Sequence, residues 1–145
     1  MTRSKRIQPI KTLADDRERD AGRALSRAQA ALEAAEKQLT ELASYRAEYA
    51  ARQQDAGAVD IARVQNFQAF LGRLEDAIRQ QQQVVDQARA AADALGATWR
   101  ERKIESASLG KVVSRLQTQE RAATDRREQA ATDERASMSR PMRPD

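Results

Sequence analysis

Between Phe67 and Trp99, side chains recur at alternating four- and three-residue steps: Phe67, Leu71, Leu74, Ile78, Gln81, Val85, Ala88, Ala92, Leu95 and Trp99, with Gln81 the one polar member. A repeat of 3.5 residues keeps one stripe facing a partner helix, so this ladder predicts a coiled-coil seam. On the N-terminal side of Gly57 the same spacing returns in Ala21, Leu25, Ala28, Leu32, Ala35, Leu39, Leu42, Arg46 and Tyr49. Two such stripes joined by a short turn predict an all-α fold, a long antiparallel two-helix coiled-coil hairpin.

The segment Asp55-Ala56-Gly57-Ala58-Val59-Asp60 is the only break between the stripes. Gly57 can take the left-handed backbone that ends a helix, and Asp60 suits the N-cap of the next. Antiparallel partners have position numbers with a constant sum, which tests the reversal. Tyr49 with Phe67, Leu42 with Leu74, Leu39 with Ile78, Leu32 with Val85, Leu25 with Ala92 and Ala21 with Leu95 all sum to 116 or 117. The register extends to Ile7 opposite Leu109. A parallel dimer needs no such match and would carry Gly57 inside a helix, so the pattern favours a hairpin within one chain, monomeric when alone.

The first helix is expected from Ile7 to Gln54 and the second from Asp60 to near Arg135, about 70 Å and 110 Å at 1.5 Å per residue. The second then overshoots. Val113 and Leu116 stay in phase beyond Leu109 with no residue of the first helix to cover them, either an exposed contact site or a fraying end. Ser137, Ser139, Pro141 and Pro144 mark residues 136–145 as a disordered tail. The domain division is a hairpin over 1–116 and an overhang with tail over 117–145.

The positions beside the seam differ between its two sides. One flank brings Ala24, Ala31, Gln38 and Tyr45 against Ala91, Val84, Ala77 and Phe70; the other brings Gln29, Glu36, Ala43 and Ala50 against Arg89, Gln82, Glu75 and Gln68. Coiled-coil flanks ordinarily hold charged pairs, so the apolar one is a candidate docking face. Tyr45, Tyr49, Phe67 and Phe70, four of the five aromatics, cluster near the turn and are of the kind that anchors interfaces. The plainer reading is that these rings only thicken the seam.

Charge adds a second asymmetry to a chain with net charge +4. Arg3, Lys5, Arg6 and Lys11 open the sequence without an acid, and the hairpin register sets them beside Arg100, Arg102, Lys103, Lys111, Arg115 and Arg121, which face only Glu101, Glu105 and Glu120. The end holding both termini is therefore basic and suits an acidic protein surface, a nucleic acid or an acidic membrane. Only Trp99 is near enough to stack on bases, which favours protein over nucleic acid.

Composition removes several classes of function. One domain of 145 residues with 33% charged and 3% aromatic residues lacks the material for a globular core. Without cysteine or histidine there is no thiolate, imidazole or usual zinc ligand. No apolar run approaches the roughly 20 residues of a membrane span, and no signal peptide opens the chain, so a cytoplasmic protein is expected. A two-helix hairpin has no water-excluding pocket and no glycine-rich phosphate loop, so neither enzymatic activity nor a cofactor is expected. Gly22, Gly72, Gly96 and Gly110 lie inside the predicted helices, where each costs up to about 1 kcal/mol relative to alanine. Either close approach to a neighbour or tolerated flexibility accounts for them.

The stretch Asn66-Phe67-Gln68-Ala69-Phe70-Leu71-Gly72-Arg73-Leu74-Glu75-Asp76-Ala77-Ile78, with Tyr45-Arg46-Ala47-Glu48-Tyr49 before the turn, resembles the flagellar export protein family FliJ over about Ile7 to Arg135. That resemblance implies an antiparallel coiled coil similar to the central stalk of rotary ATPases, working in the cytoplasm at the inner-membrane export apparatus. Its implied partners are the export ATPase and its regulator, the cytoplasmic domain of the export gate, and substrate chaperones. Carried over by the motif, the gate-binding strip would fall on Gln38, Leu42, Tyr45, Tyr49, Phe70, Leu74, Ala77 and Gln81. The ATPase-binding end would be the one with both termini, with Arg3, Lys5, Arg6, Lys11, Arg100, Arg102, Lys103, Lys111, Val113 and Leu116. A virulence injectisome stalk, or a basic adaptor binding nucleic acid or a scaffold, are the other readings.

Overall fold

Two helices account for nearly everything in the computed structural model, which describes residues 1–55 and 60–139. Helix α1 is Arg3–Asp55, 53 residues, and helix α2 is Ile61–Met138, 78 residues. They pack against each other as an all-α helical hairpin, with no strand among the described residues. Asp60 caps α2: its Oδ1 accepts from Ala62 N at 3.0 Å and its carbonyl from Val64 N at 3.2 Å. The expected left-handed Gly57, and the tail from Arg140, lie outside the described residues.

Both helices begin or end beyond their expected limits. Helix α1 starts four residues before Ile7 because Thr2 caps it, with Thr2 Oγ1 accepting from Lys5 N at 3.4 Å and Thr2 O from Arg6 N at 3.2 Å. The helix therefore runs through Pro9, which has no N–H to give the preceding turn. At its far end α2 continues to Met138, through the first three of the residues 136–145 assigned to the tail.

The chain divides into two compact units, Asp20–Arg100 and Met1–Arg19 with the chain from Glu101. In the Asp20–Arg100 unit every ladder position except Arg46 is buried or half-buried, and Val85 at 2% exposure is the most enclosed large side chain. Tyr49 stacks on Phe67 with ring centroids 4.9 Å apart, and Gln81 Nε2 donates to Ala35 O at 3.0 Å, both pairs at the expected register. A buried amide that is satisfied only in one alignment fixes register at some cost in stability. Arg46 leaves the seam for the polar flank, where its Nη2 meets Glu75 Oε1 at 2.8 Å. Arg89 pairs with Glu36 at 3.0 Å on that flank as well.

Close approach explains two of this unit's glycines. A Cβ on Gly22 would lie 3.3 Å from Trp99 Nε1, and one on Gly96 3.5 Å from Arg100 Nη1 and 3.8 Å from Leu25 Cδ1. A side chain on a helix leans toward its own N-terminus, and so reaches partner residues of higher number than the one directly opposed. Trp99 accordingly lies over Gly22 and Leu25 over Gly96. Gly72 has nothing within 4 Å.

The unit with both termini carries the seam on through Ser4, Ile7, Lys11, Ala14 and Glu18 of α1 and Arg102, Ser106, Leu109, Val113, Leu116, Glu120 and Ala123 of α2, all buried or half-buried. Val113 is not an overhang: it is 5% exposed. The earlier start of α1 supplies the cover that an N-terminus at Ile7 lacks. Ile7 shares a groove with Val112 and Leu116 rather than stopping at Leu109, the same lean of side chains along antiparallel helices.

Gly72→Ala relieves a helix-interior glycine with no steric penalty and should raise unfolding free energy by up to about 1 kcal/mol in urea titration. Unchanged or lower stability would show that the site is not the open helical position described.

Candidate functional site

The apolar flank of the Asp20–Arg100 unit is partly covered by its own rings. Tyr45 meets Phe70 edge-on, with centroids 6.2 Å apart and planes at 82°, and Tyr49 lies 4.5 Å from Phe70. Arg73 sits 6.0 Å above the Phe70 ring, within cation–π reach. Tyr45 remains 45% exposed and Val84 48%. Both ion pairs that cross between the helices here, Arg46 with Glu75 and Arg89 with Glu36, lie on the opposite flank.

Of the residues carried over as a gate-binding strip, Gln38 and Tyr45 are exposed, and Leu42, Tyr49, Phe70 and Ala77 are half-buried. Leu74 and Gln81 are buried in the seam, and Gln81 gives its amide to Ala35 O. The surface of this strip that is open to solvent is therefore Tyr45, Gln38 and the exposed parts of Phe70 and Ala77. Leu74 and Gln81 hold that surface from below.

In the other unit two polar contacts stand where the sequence reading had placed none. Ser4 N donates to Glu120 Oε1 at 3.0 Å and Ser4 Oγ to Glu120 Oε2 at 2.6 Å. Ser106 Oγ donates to Asp15 Oδ1 at 2.5 Å and Lys11 Nζ to Asp15 Oδ2 at 2.8 Å. Extending the 3.5-residue ladder past both its ends would have found them, because it puts Ser4, Lys11, Ser106 and Glu120 in the seam. Polar seam residues must bond to one another or remain unsatisfied.

These donors set the carboxyl chemistry. The Ser4 hydroxyl, then the Ser4 and Arg3 amides and the charge of Lys5, hold the Glu120 carboxyl below its ordinary 4.5, against an opposing desolvation. The Lys11 ammonium, with the Ser106 hydroxyl and the charge of Arg19, holds Asp15 below its ordinary 3.8. Helix α1 is thus fastened to α2 on both sides of Pro9, by Glu120 before it and by the Asp15–Ser106 bond after it.

Among the basic residues named from sequence, Arg3, Lys5, Arg6, Lys103 and Lys111 are exposed in this unit, Lys11 is bound to Asp15, and Arg102 pairs with Glu105 at 3.3 Å. Arg100 belongs to the Asp20–Arg100 unit. Leu116 is half-buried and Val113 buried, so Leu116 reaches the surface and Val113 does not.

Two long helices packed against each other define a protein of the all-α helical-hairpin class. No group of acidic, histidine or cysteine side chains that could hold a metal occurs among the described residues, and none of their helices is long and apolar enough to cross a membrane. The sequence pattern of the flagellar FliJ protein matches residues 3–142. The chain belongs to the FliJ family, a component of flagellar export. No curated protein and no solved structure matches the chain.

Both lowered carboxyls stabilise the folded state above their ordinary values, and that stability is lost as pH falls through the lowered ones. Amide exchange of Ser4 to Gln8, corrected for intrinsic rate, should accelerate between about pH 6 and pH 3, and Glu120→Ala should show the fast rate already at about pH 6. Equal protection in variant and wild type would contradict the fastening role.

Proposed function

We propose that this chain serves the flagellar export engine as a stalk-like hairpin. It binds the export ATPase ring through the unit holding both termini, promotes ring assembly and hydrolysis, and reaches the cytoplasmic domain of the export gate through the Tyr45 flank. The match to the FliJ family over residues 3–142 carries this reading. Supporting it, the exposed basic cluster and the exposed aromatic flank belong to different units, as two separate partners require. Contacts with the ATPase regulator and with substrate chaperones belong to the same proposal, as does peripheral association with the inner membrane through these partners.

The mechanism asks for no reactive group on the hairpin. A helical pair set within a hexameric ring presents different side chains to each subunit. Subunits that touch it differently then differ in nucleotide affinity, because differential contact energy between states is all that coupling requires. Basic side chains suit this task, since charge complementarity speeds encounter and tolerates several orientations.

Hydrolysis by the flagellar ATPase of the same organism, titrated with the full chain at moderate salt while ring assembly is followed, tests the proposal. Saturable stimulation with more hexamer is expected. Lys103→Glu with Lys111→Glu should lower it by about fivefold or more and spare gate binding, whereas Tyr45→Ala with Phe70→Ala should do the reverse. No effect of the wild-type chain on rate or assembly would overturn the reading, and equal loss of both activities in either variant would overturn the separation of the two surfaces.

A further inference from the structure

The unit with both termini contains an open groove of about 300 Å³ lined by Arg3, Arg6, Ile7, Val112 and Leu116. Its floor is apolar: Val112 keeps 38% of its surface exposed, and Ile7 and Leu116 are half-buried. Along α1 the apolar surface goes on through Ile10 and Leu13, 55% and 50% exposed, at three-residue steps from Ile7 and hence neighbours on the helix surface. Large apolar side chains gathered and exposed in this way mark a contact site.

The rim fixes the charge of the occupant. Among the described residues no carboxylate lies within 4.0 Å of Arg3 or Arg6, and Arg6 Nη2 donates only to Met1 O, at 3.3 Å. Glu120 lines the adjoining groove with Arg3, Leu116 and Arg127, but its oxygens are turned to the Ser4 hydroxyl and amide. One carboxylate thus stands near the guanidinium groups of Arg3, Arg6 and Arg127, none of which it meets in an ion pair, and the rim keeps a net positive charge. Guanidinium pairs with carboxylate in two-point geometry, and an apolar floor beside it needs apolar anchors on the occupant.

We propose that this groove docks an acidic amphipathic helix of a partner protein, its apolar residues seated on Ile7, Val112 and Leu116 and its carboxylates on Arg3 and Arg6. The inference goes beyond the assignment of the unit to the ATPase, because it holds whichever export component carries that helix. Nucleic acid fits poorly, since the floor offers no aromatic ring for stacking. A second copy docked symmetrically would bring the same basic surface to the groove and repel it.

The test uses the full chain and a fluorescent helical peptide of about 18 residues with leucines at i, i+4 and i+7 flanked by glutamates. One control replaces the glutamates with lysine, the other the leucines with serine. Anisotropy titration should show saturable binding of the acidic peptide, at least about tenfold tighter than either control. Arg3→Glu with Arg6→Glu, and separately Val112→Asp, should each weaken it by about tenfold or more. If circular dichroism shows that charge reversal costs helicity, Arg3→Gln with Arg6→Gln replaces it, with a loss of about threefold or more expected. Absence of saturable binding, equal binding of the lysine peptide, or folded variants that bind as the wild type does would overturn the proposal. Chain self-association that blocks the peptide would overturn it in favour of a second copy.

Discussion

Everything in this hairpin depends on a single constraint, that two helices bury one stripe each at a period of 3.5 residues. The same geometry is filled with two chemistries. Within Asp20–Arg100 the stripe is leucine, alanine, valine and aromatic, interrupted by the one satisfied amide of Gln81. Within the unit holding both termini it contains Ser4, Lys11, Glu18, Arg102, Ser106 and Glu120. Apolar burial is non-directional and proportional to area, whereas a charge-assisted hydrogen bond such as Ser4 to Glu120 works only in one alignment. One unit is held by area, the other by area and specific pairs together.

That division bears on function. A seam made of bonds to carboxylates is sensitive to charge brought near it, and an apolar seam is not. The unit proposed to meet the ATPase is the one with the polar seam, unpaired arginines and an apolar groove. The unit proposed to meet the gate presents rings on a flank left clear because the interhelical ion pairs, Arg46 with Glu75 and Arg89 with Glu36, both lie on the other side. Exposed pairs of this kind contribute little stability; their effect is to leave one flank for contact.

Much of the fold was legible because periodicity survives without side-chain detail. The two ladders and the pairs Tyr49 with Phe67 and Ala35 with Gln81 follow from spacing, and the chain reversal and the Asp60 cap from spacing together with the residue types at the break. The terminal unit was less legible, because hydrophobicity was the signal and half of its seam positions are polar. Ser4 and Glu120 look like surface residues until they are placed in register. Reading α1 only from Ile7 left Val113 uncovered, an error of one helical turn caused by overlooking Thr2 as a cap. Arg46 was legible as a ladder position, but a guanidinium prefers a carboxylate at the flank to an apolar seam. The FliJ family was legible from the motif around the turn, where aromatic residues make the pattern distinctive.

Hydrogen exchange along the full chain, alone and with the export ATPase, separates the two seams in one experiment. The slowest amides should lie in the apolar seam, near Leu32 to Leu42 and Leu74 to Ala92, with faster exchange in Ser4 to Glu18. Added ATPase should protect the terminal unit and leave Tyr45 to Phe70 unchanged. Uniform exchange along both helices, or protection by the ATPase confined to the Tyr45 flank, would contradict that separation.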